Sequence, residues 1–336
     1  MNAVARPCPE PTRVALLGTG TVGSAFRALV AARVAAGTPL SLVAEANTRA
    51  CVLHAGVEPG AAGEEPAVRA VQALGHSGTR IVVDATASEA IAARHAAWLR
   101  DGLHVVTASK LGQGAGLARW QAIAAARARS GCTYGDSATV GAGLPLLRSL
   151  RALRGGGDRI HAIAGVLSGS LAWLLDDAHG DMAFADRVRE AAARGYTEPD
   201  PRADLSGADV RRKLLILARA AGHALEEHAV DVHPLEPAAM DARLRVARKR
   251  GCRLAYVARF ARRDDGSFEA RAGLEALPPG DPLAHGGGTD NRVAIWCDRY
   301  REQPLVLQGP GAGAGVTAAA LLDDLLRVAG PPAFTT

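Results

Sequence analysis

The sequence predicts an α/β protein, with a doubly wound parallel sheet in its first part and a second domain of α+β type after it. Two observations support this. Short apolar runs alternate with Ala-rich amphipathic stretches over residues 13–131, and the first run ends in the glycine-rich sequence GTGTVG. Such alternation is typical of a parallel sheet with helices on both faces. After about residue 145 the alternation stops, and helices and hairpin-like strands follow.

Four apolar runs are predicted to be the strands of the first sheet: 13–17, 40–47, 80–88 and 103–110. Beyond them we expect helices near 170–178, 183–194 and 206–222, a hairpin from Cys252 with its turn at DDGS, and strands at VAIWCD and PLVLQG. The last segment reads as a glycine-rich loop that opens a helix. The predicted domains are 1–145 for a dinucleotide, 146–310 for substrate and dimerisation, and 311–336 returning to the first domain.

Composition narrows the class of protein. Of 336 residues, 48% are hydrophobic and 4% aromatic, and the net charge is +5. The basic residues are scattered and lack aromatic neighbours, so we expect no nucleic-acid partner. No segment has the length of a membrane span. The five cysteines are far apart with no CxxC pair, which is typical of reduced thiols and favours a cytoplasmic location.

GTGTVG places Gly18, Gly20 and Gly23 directly after a strand and before a helix. The first glycine permits a tight turn, the second lets the backbone approach a pyrophosphate, and the third lets helix and strand pack closely. The start of the following helix, with Thr21 and Val22, would then face the negative charge. This context predicts a Rossmann-type dinucleotide site.

The end of the second strand usually meets the adenosine ribose, where an acid favours NAD and an arginine favours NADP. The candidates are Glu45, Asn47 and Arg49. Arg49 could pair with a 2′-phosphate, so NADP is favoured and NAD accepted. Lys110 ends the fourth strand, at the carboxyl edge where open α/β sheets bind ligands, and is a candidate site residue.

The stretch GYTEPDPRADLSGADVRRKLLILAR, residues 195–219, is acidic and contains Lys213, one of only three lysines among 39 basic residues. Ser206 is predicted to begin a helix in which Asp209 and Lys213, four residues apart, share one face. One interpretation is a surface ion pair worth about 0.3–0.5 kcal/mol. The other is a general acid/base, because lysine can lose its proton whereas arginine stays charged.

Seven motifs occur in the order and spacing of homoserine dehydrogenases, which the chain resembles from about residue 13 to 329. They are GTGTVG, VVDATAS, HVVTASK, TVGAGLP, GVLSGSL, GYTEPDPRADLSGADVRRK and PLVLQGPGAGAGVTAAALL. The resemblance implies reversible NAD(P)-dependent oxidation of L-homoserine to L-aspartate 4-semialdehyde, in the biosynthesis of threonine and methionine. It also implies a homodimer formed through a sheet.

The resemblance implies roles for individual residues. Lys213 matches the proton donor, with Lys110 and Asp209 as the other catalytic candidates. The substrate-binding positions are Glu198, Asp204, Asp209 and Tyr196. The remaining cofactor-binding positions are Thr86, Ser88, Lys110, Gly195 and Gly313.

Two departures from the family pattern bear on cations and regulation. Family members often bind sodium through a glutamate and backbone carbonyls, here those of Val140, Ala142 and Leu144, but Ser137 stands at the glutamate position beside Asp136. After residue 329 only GPPAFTT remains, so threonine feedback through a C-terminal regulatory domain is not expected.

The expected mechanism has neutral Lys213 taking the hydroxyl proton while hydride leaves for the nicotinamide. It requires a lowered amine pKa, which Lys110 and the apolar border of the helix would favour and Asp209 would oppose. Two alternatives remain: a dehydrogenase of another small amino or hydroxy acid, and a catalytically weakened NAD(P)-binding regulatory protein of the same fold.

Overall fold

The computed structural model describes residues 10–54, 64–197, 200–263 and 265–330. Within them the chain forms two compact units. The first unit comprises residues 10–112, 121–138 and 314–330, and the second comprises the described residues of 113–120 and 139–313. Each has its own six-stranded sheet. None of the helices in these residues is long and apolar enough to cross a membrane.

The sheet of the first unit has the strand order β3-β2-β1-β4-β5-β6 and is parallel except for the antiparallel edge strand β3. This confirms the predicted Rossmann-type sheet. Its strands are β1 (Thr12–Leu17), β2 (Leu40–Ala46), β3 (Cys51–Leu53), β4 (Arg80–Asp84), β5 (His104–Thr107) and β6 (Tyr134–Gly135). The helices are α1 (Thr21–Ala35), α2 (Pro66–Gln72), α3 (Glu89–Arg100), α11 (Ala314–Ala329) and α4 (Leu117–Ser130), of which residues 121–130 belong to this unit.

Both faces of this sheet are buried, because successive side chains of a strand point to opposite faces. On β1, Val14 and Leu16 join the cluster that includes Phe26 of α1 and Leu321 of α11. Ala15 and Leu17 join the other cluster, which includes Trp98 and Leu99 of α3. β4 and β5 end at Asp84 and Thr107, earlier than predicted, so 85–88 and 108–110 are loops at the carboxyl edge.

The sheet of the second unit has the order β12-β11-β7-β9-β10-β8 and is antiparallel except for the β10–β8 pair. Its strands are β7 (Ile160–Val166), β8 (Asp231–Val232), β9 (Arg253–Arg262), β10 (Phe268–Leu277), β11 (Asp290–Cys297) and β12 (Leu305–Pro310). The predicted hairpin is β9–β10, and Asp264 in its turn lies outside the described residues.

The remaining helices are α5 (Leu146–Gly155), α6 (Gly169–Leu174), α7 (Phe184–Ala193), α8 (Pro201–Leu205), α9 (Ala208–Ala220) and α10 (Pro237–Lys249). Val210, Leu214 and Leu217 of α9 are buried in the main core of this unit. The prediction that Ser206 begins the helix was wrong. Ser206 is the C-cap of α8. Gly207 is the N-cap of α9, and its φ of 74° separates the two helices.

Candidate active site

The three glycines of GTGTVG meet three different steric conditions. Gly18 has φ of 95°, and a Cβ there would lie 2.7 Å from the Ala85 carbonyl oxygen. At Gly20 a Cβ would meet no atom within 4 Å, so the space beside its backbone is open. At Gly23 a Cβ would lie 1.8 Å from the Gly18 carbonyl oxygen. The turn is therefore closed on its strand side and open at Gly20, where a pyrophosphate could approach the backbone.

A cavity of about 470 Å³ in the first unit adjoins this turn. Its lining includes five residues that the sequence predicted to bind a dinucleotide: Gly18, Gly20, Asn47, Thr86 and Ser88. Thr21, Val22 and Gly23 begin the adjoining helix α1, whose N-terminal N–H groups are oriented for an anion. The cavity has the size of a small-molecule site.

At the end of β2, Asn47 orders the turn that contains Arg49. Its Oδ1 accepts the backbone N–H groups of Arg49 (2.8 Å) and Ala50 (3.0 Å), and its Nδ2 donates to Thr19 Oγ1 (3.0 Å). Glu45 is buried with its carboxylate 3.0 Å from His54 Nε2 and 3.4 Å from the Arg27 guanidinium, and it does not line the cavity. Arg49 is exposed.

The loops after β4 and β5 contain the next group of predicted residues. Thr86 donates from N and Oγ1 to Asp84 Oδ1 (2.9 and 2.7 Å), and Ser88 accepts Ile91 N–H (3.3 Å) at the start of α3. Lys110 is half-buried. Beside it, the sequence prediction missed Ser109, whose Oγ is buried without a hydrogen-bond partner.

Lys213 is buried in the second turn of α9, with 9% of its surface exposed. Its Nζ donates to the Leu167 carbonyl oxygen at 2.8 Å and lies 2.8 Å from Asp209 Oδ2. The Asp209 side chain is 44% exposed, so the pair lies at the boundary between core and solvent. The predicted ion pair is present, but its amine is buried, unlike that of an ordinary surface pair.

Asp204 on α8 and Lys213 on α9 both form hydrogen bonds with residues 167–170, which follow β7. Ser170 Oγ donates to Asp204 Oδ1 at 2.8 Å and lies 3.0 Å from Ser168 Oγ. Ser168 in turn caps α6 by accepting Leu171 N–H at 3.3 Å. The loop after β7 thus brings Asp204 and Lys213 into one polar cluster of the second unit. Sequence reasoning missed Leu167, Ser168 and Ser170, although the quoted motif GVLSGSL contains them.

Gly207 sets the spacing between Asp204 and the Asp209–Lys213 pair. A Cβ there would lie 2.1 Å from the Tyr256 hydroxyl oxygen and 2.9 Å from Val232 Cγ1. Burial raises the pKa of Tyr256 to about 12, and its hydroxyl donates to the His233 carbonyl at 3.0 Å. The neutral phenol therefore packs against a position that only glycine fits.

The other described residues of this unit that were predicted to bind substrate or cofactor are exposed. Tyr196 is 40% exposed, with its ring centroid 5.6 Å from that of Trp173. Gly195 and Gly313 are exposed turn residues with φ of 70° and 129°. Glu198, predicted to bind substrate, lies outside the described residues.

A second unpartnered polar group missed by the sequence prediction is Asn291. It is fully buried, and neither its Nδ2 nor its Oδ1 has a hydrogen-bond partner. A Cβ at Gly311 would lie 2.0 Å from Asn291 Cγ, so the glycine-rich segment before α11 packs directly on this amide.

The predicted cation loop of the second unit contains Val140, Ala142 and Leu144. Ala142 has φ of 49°, and the Leu144 carbonyl accepts Leu146 N–H at 2.8 Å. In the first unit, Ser137 donates from N and Oγ to Asp324 of α11 (2.8 and 2.9 Å). Across the part of the chain that the structure describes, no three His, Cys, Asp or Glu side chains form a metal-binding group.

Comparison with known proteins gives two family matches. The family described as "Homoserine dehydrogenase" matches residues 145–326, and "Homoserine dehydrogenase, NAD binding domain" matches residues 18–135. The homoserine dehydrogenase of Saccharomyces cerevisiae is 33% identical, over 94% of this chain and 97% of the relative.

Two further proteins show the range of relatives. The bifunctional aspartokinase/homoserine dehydrogenase 2 of Escherichia coli is 41% identical over 268 residues, which are 74% of this chain and 33% of that protein. The chain thus spans about a third of the length of this bifunctional relative. A crystal structure of a Candida auris protein of unknown function has a TM-score of 0.85 and 30% identity, covering 95% of this chain and 98% of that one.

Proposed function

The chain belongs to the homoserine dehydrogenase family, and we propose that it interconverts L-homoserine and L-aspartate 4-semialdehyde with NAD(P) as the hydride carrier. The observation that supports this best is the buried Lys213 amine, 2.8 Å from both the Leu167 carbonyl and Asp209. The two residues before it are arginines, and one of them, Arg211, is paired with Glu227. Of lysine and arginine, only lysine can act as a proton-transfer group, because arginine stays protonated in proteins.

The reaction moves one hydride and one proton. A bound nicotinamide dinucleotide would accept the hydride from the carbon that bears the homoserine hydroxyl. Lys213 Nζ takes the hydroxyl proton in the oxidation and returns it to the alkoxide oxygen in the reduction. Asp209 holds the amine in place, and Asp204, oriented by Ser170, attracts the substrate ammonium together with Glu198. Lys110 is proposed to contact the substrate hydroxyl.

The assay that tests this function follows NAD(P)⁺ reduction with L-homoserine in wild type, Lys213→Ala and Lys213→Arg. We expect turnover in wild type and a loss of about 10²- to 10⁴-fold in kcat in both variants, the usual contribution of a general acid/base. Arg212→Ala on the same helix is the control and should keep wild-type kcat. Wild-type turnover in Lys213→Arg would refute the role of the amine.

Other results of this assay distinguish the alternatives. Turnover with a different small amino or hydroxy acid, but not with homoserine, would identify another dehydrogenase of this fold. Dinucleotide binding without turnover of any substrate would identify a regulatory protein instead.

NADP is the proposed preferred dinucleotide, with NAD accepted. Two features near Asn47 support this: the Glu45 carboxylate is engaged with Arg27 and His54, and Arg49 is exposed. We expect Arg49→Ala to lower kcat/KM for NADP⁺ about fivefold or less and to leave that for NAD⁺ nearly unchanged, because an exposed ion pair contributes about 1 kcal/mol at most. Arg33→Ala, exposed on α1, is the control. Equal losses with both dinucleotides would refute this preference.

A homodimer is proposed from the family alone. Sedimentation equilibrium should then give twice the mass of one chain, and the mass of a single chain would contradict it.

A further inference from the structure

Four polar side chains of the first unit form a buried cluster that the proposed mechanism does not use. The side chains of Asp84, His95 and Thr107 are fully buried, and Tyr134 is 3% exposed. His95 Nε2 lies 3.1 Å from Asp84 Oδ2, and His95 Nδ1 lies 2.9 Å from the Tyr134 hydroxyl. Thr107 Oγ1 donates to Asp84 Oδ2 at 3.2 Å. We call these four residues the buried clamp.

The hydrogen bonds of the clamp are satisfied when Asp84 is ionised and His95 is neutral. An ionised Asp84 can only accept, so His95 Nε2 has to carry the proton and donate to it. His95 Nδ1 is then an acceptor, and the Tyr134 hydroxyl donates to it. Asp84 Oδ1 meanwhile accepts both Thr86 N–H and Thr86 Oγ1–H. The carboxylate therefore has four donors, which is how a buried charge can be tolerated.

The clamp joins two loops at the carboxyl edge of the sheet. Through Asp84 it holds Thr86, in the loop that lines the cavity. Through Thr107, whose Oγ1 accepts Ser109 N–H at 2.9 Å, it holds the loop that contains Lys110. That second loop also packs on the clamp at Gly112, where a Cβ would lie 2.1 Å from the Tyr134 hydroxyl and 3.1 Å from His95 Nδ1.

We propose that the buried clamp is a positioning device for dinucleotide binding, in which His95 and Tyr134 fix the two loops through Asp84 and Thr107. Neither His95 nor Tyr134 lines the cavity, so both act through other residues. Stability alone does not explain the cluster, because well-packed apolar residues often replace buried ionic groups without loss of stability. Apolar residues could not accept the hydrogen bonds of Thr86 N–H and Ser109 N–H that orient the two loops. This inference rests on the dinucleotide site of the proposed function, but not on the identity of the substrate.

The test measures NADPH affinity by fluorescence titration without substrate, alongside thermal unfolding. Tyr134→Phe removes one hydroxyl and keeps the ring, so we expect NADPH to bind about fivefold more weakly, the equivalent of one ordinary hydrogen bond. His95→Leu should weaken binding further. His95→Gln places an amide N–H near the position of Nε2 and should restore affinity to within about twofold of wild type, if the bond to Asp84 is retained.

Leu99→Ala is the control for a purely structural role, because Leu99 is fully buried on the same helix as His95. It should lower the melting temperature and leave NADPH affinity unchanged at temperatures where the protein is folded. Wild-type affinity in both Tyr134→Phe and His95→Leu would overturn the proposal. So would a loss in Leu99→Ala as large as in His95→Leu, or a failure of His95→Gln to bind better than His95→Leu.

The outcome separates this inference from the proposed reaction. NADPH binding that depends on the clamp, without turnover of homoserine, would support the clamp and refute the reaction. A wild-type protein that binds no dinucleotide would refute both.

Discussion

Lys213 illustrates how one side chain can require both burial and charge pairing. An ammonium group removed from water loses solvation, and it is tolerated only where acceptors replace the water. Asp209 and the Leu167 carbonyl supply those acceptors at 2.8 Å each. The amine that the proposed reaction uses is therefore held between two acceptors of this chain.

His104 gives a prediction for pH dependence. Its Nδ1 accepts Thr133 N–H at 2.9 Å, and burial, followed by the charge of Arg80, lowers its pKa below the ordinary value of 6.5. Between that lowered value and 6.5 the unfolded chain binds the proton more readily than the folded chain. The free energy of unfolding should therefore fall as the pH is lowered through this window, and be unaffected by His104 above it.

The measurement is urea unfolding between pH 5 and pH 8 for wild type and His104→Asn, which keeps an acceptor near the Nδ1 position without titrating. The variant should lose less stability on acidification. Part of the slope will remain, because burial also lowers the pKa of His223. Identical slopes for the two proteins would show that His104 does not contribute.

Local spacing predicted the Asp209–Lys213 pair, because residues four apart on a helix are neighbours. It could not predict the Leu167 carbonyl, which is 46 positions away in the chain and directly follows β7. Asn291 is a similar case. Nothing in its sequence context indicates that its amide is buried beneath Gly311.

At the scale of elements, the four strands predicted for the first sheet were correct in position, but those of β4 and β5 were predicted too long at their carboxyl ends. Thr86 and Thr107 end β4 and β5 locally, because their hydroxyls bond to Asp84 and to the backbone N–H groups two residues on. Hydropathy continues through VVDATAS and HVVTAS, so apolar patterning alone does not detect these turns. The loops that result contain Thr86, Ser88 and Lys110.

The strand–turn–helix element of β1 and α1 yields a prediction with two matched substitutions. Gly23→Ala places a Cβ against the Gly18 carbonyl, so the unfolding free energy should fall by about 1–3 kcal/mol, as for other overpacked sites. Gly20→Ala has open space and an extended backbone, so stability should be kept or rise slightly. NADPH should nevertheless bind Gly20→Ala about tenfold more weakly, because the added methyl group obstructs the pyrophosphate.

Thermal unfolding and NADPH titration of both variants measure the two effects separately. The glycine assignments would be wrong if Gly23→Ala kept the wild-type melting temperature. They would also be wrong if Gly20→Ala kept wild-type affinity.

At the scale of the whole molecule, each compact unit is made of segments that are not contiguous in the sequence. Residues 113–120 lie between β5 and the rest of α4 in sequence, yet they belong to the second unit. The buried Arg219 guanidinium of α9 donates to the carbonyls of Gln113 and Ala115, and it lies 5.9 Å from the Trp120 ring. Composition gave no indication of this, because Arg219 is one basic residue among 39 and its partners are backbone atoms.

Helix α11 is the other long-range connection. It follows the whole second unit in sequence but packs in the first unit, where Leu321 and Leu325 are fully buried in the cluster with Phe26. Asp324 of the same helix accepts the two hydrogen bonds of Ser137. The core of the first unit is therefore complete only when α11, the last described helix, packs in it.

This dependence predicts that Leu321→Ala will loosen the first unit selectively. A buried leucine truncated to alanine costs about 2–5 kcal/mol, so hydrogen exchange should become faster in residues 21–35 and 80–84. NADP⁺ at about one hundred times its Kd should return about 2.7 kcal/mol of stability to that unit and slow the exchange again. Leu217→Ala, fully buried in the second unit, is the control: exchange should quicken in residues 160–166, with little recovery from NADP⁺. If Leu321→Ala accelerated hydrogen exchange equally in both units, α11 would not stabilise the first unit selectively.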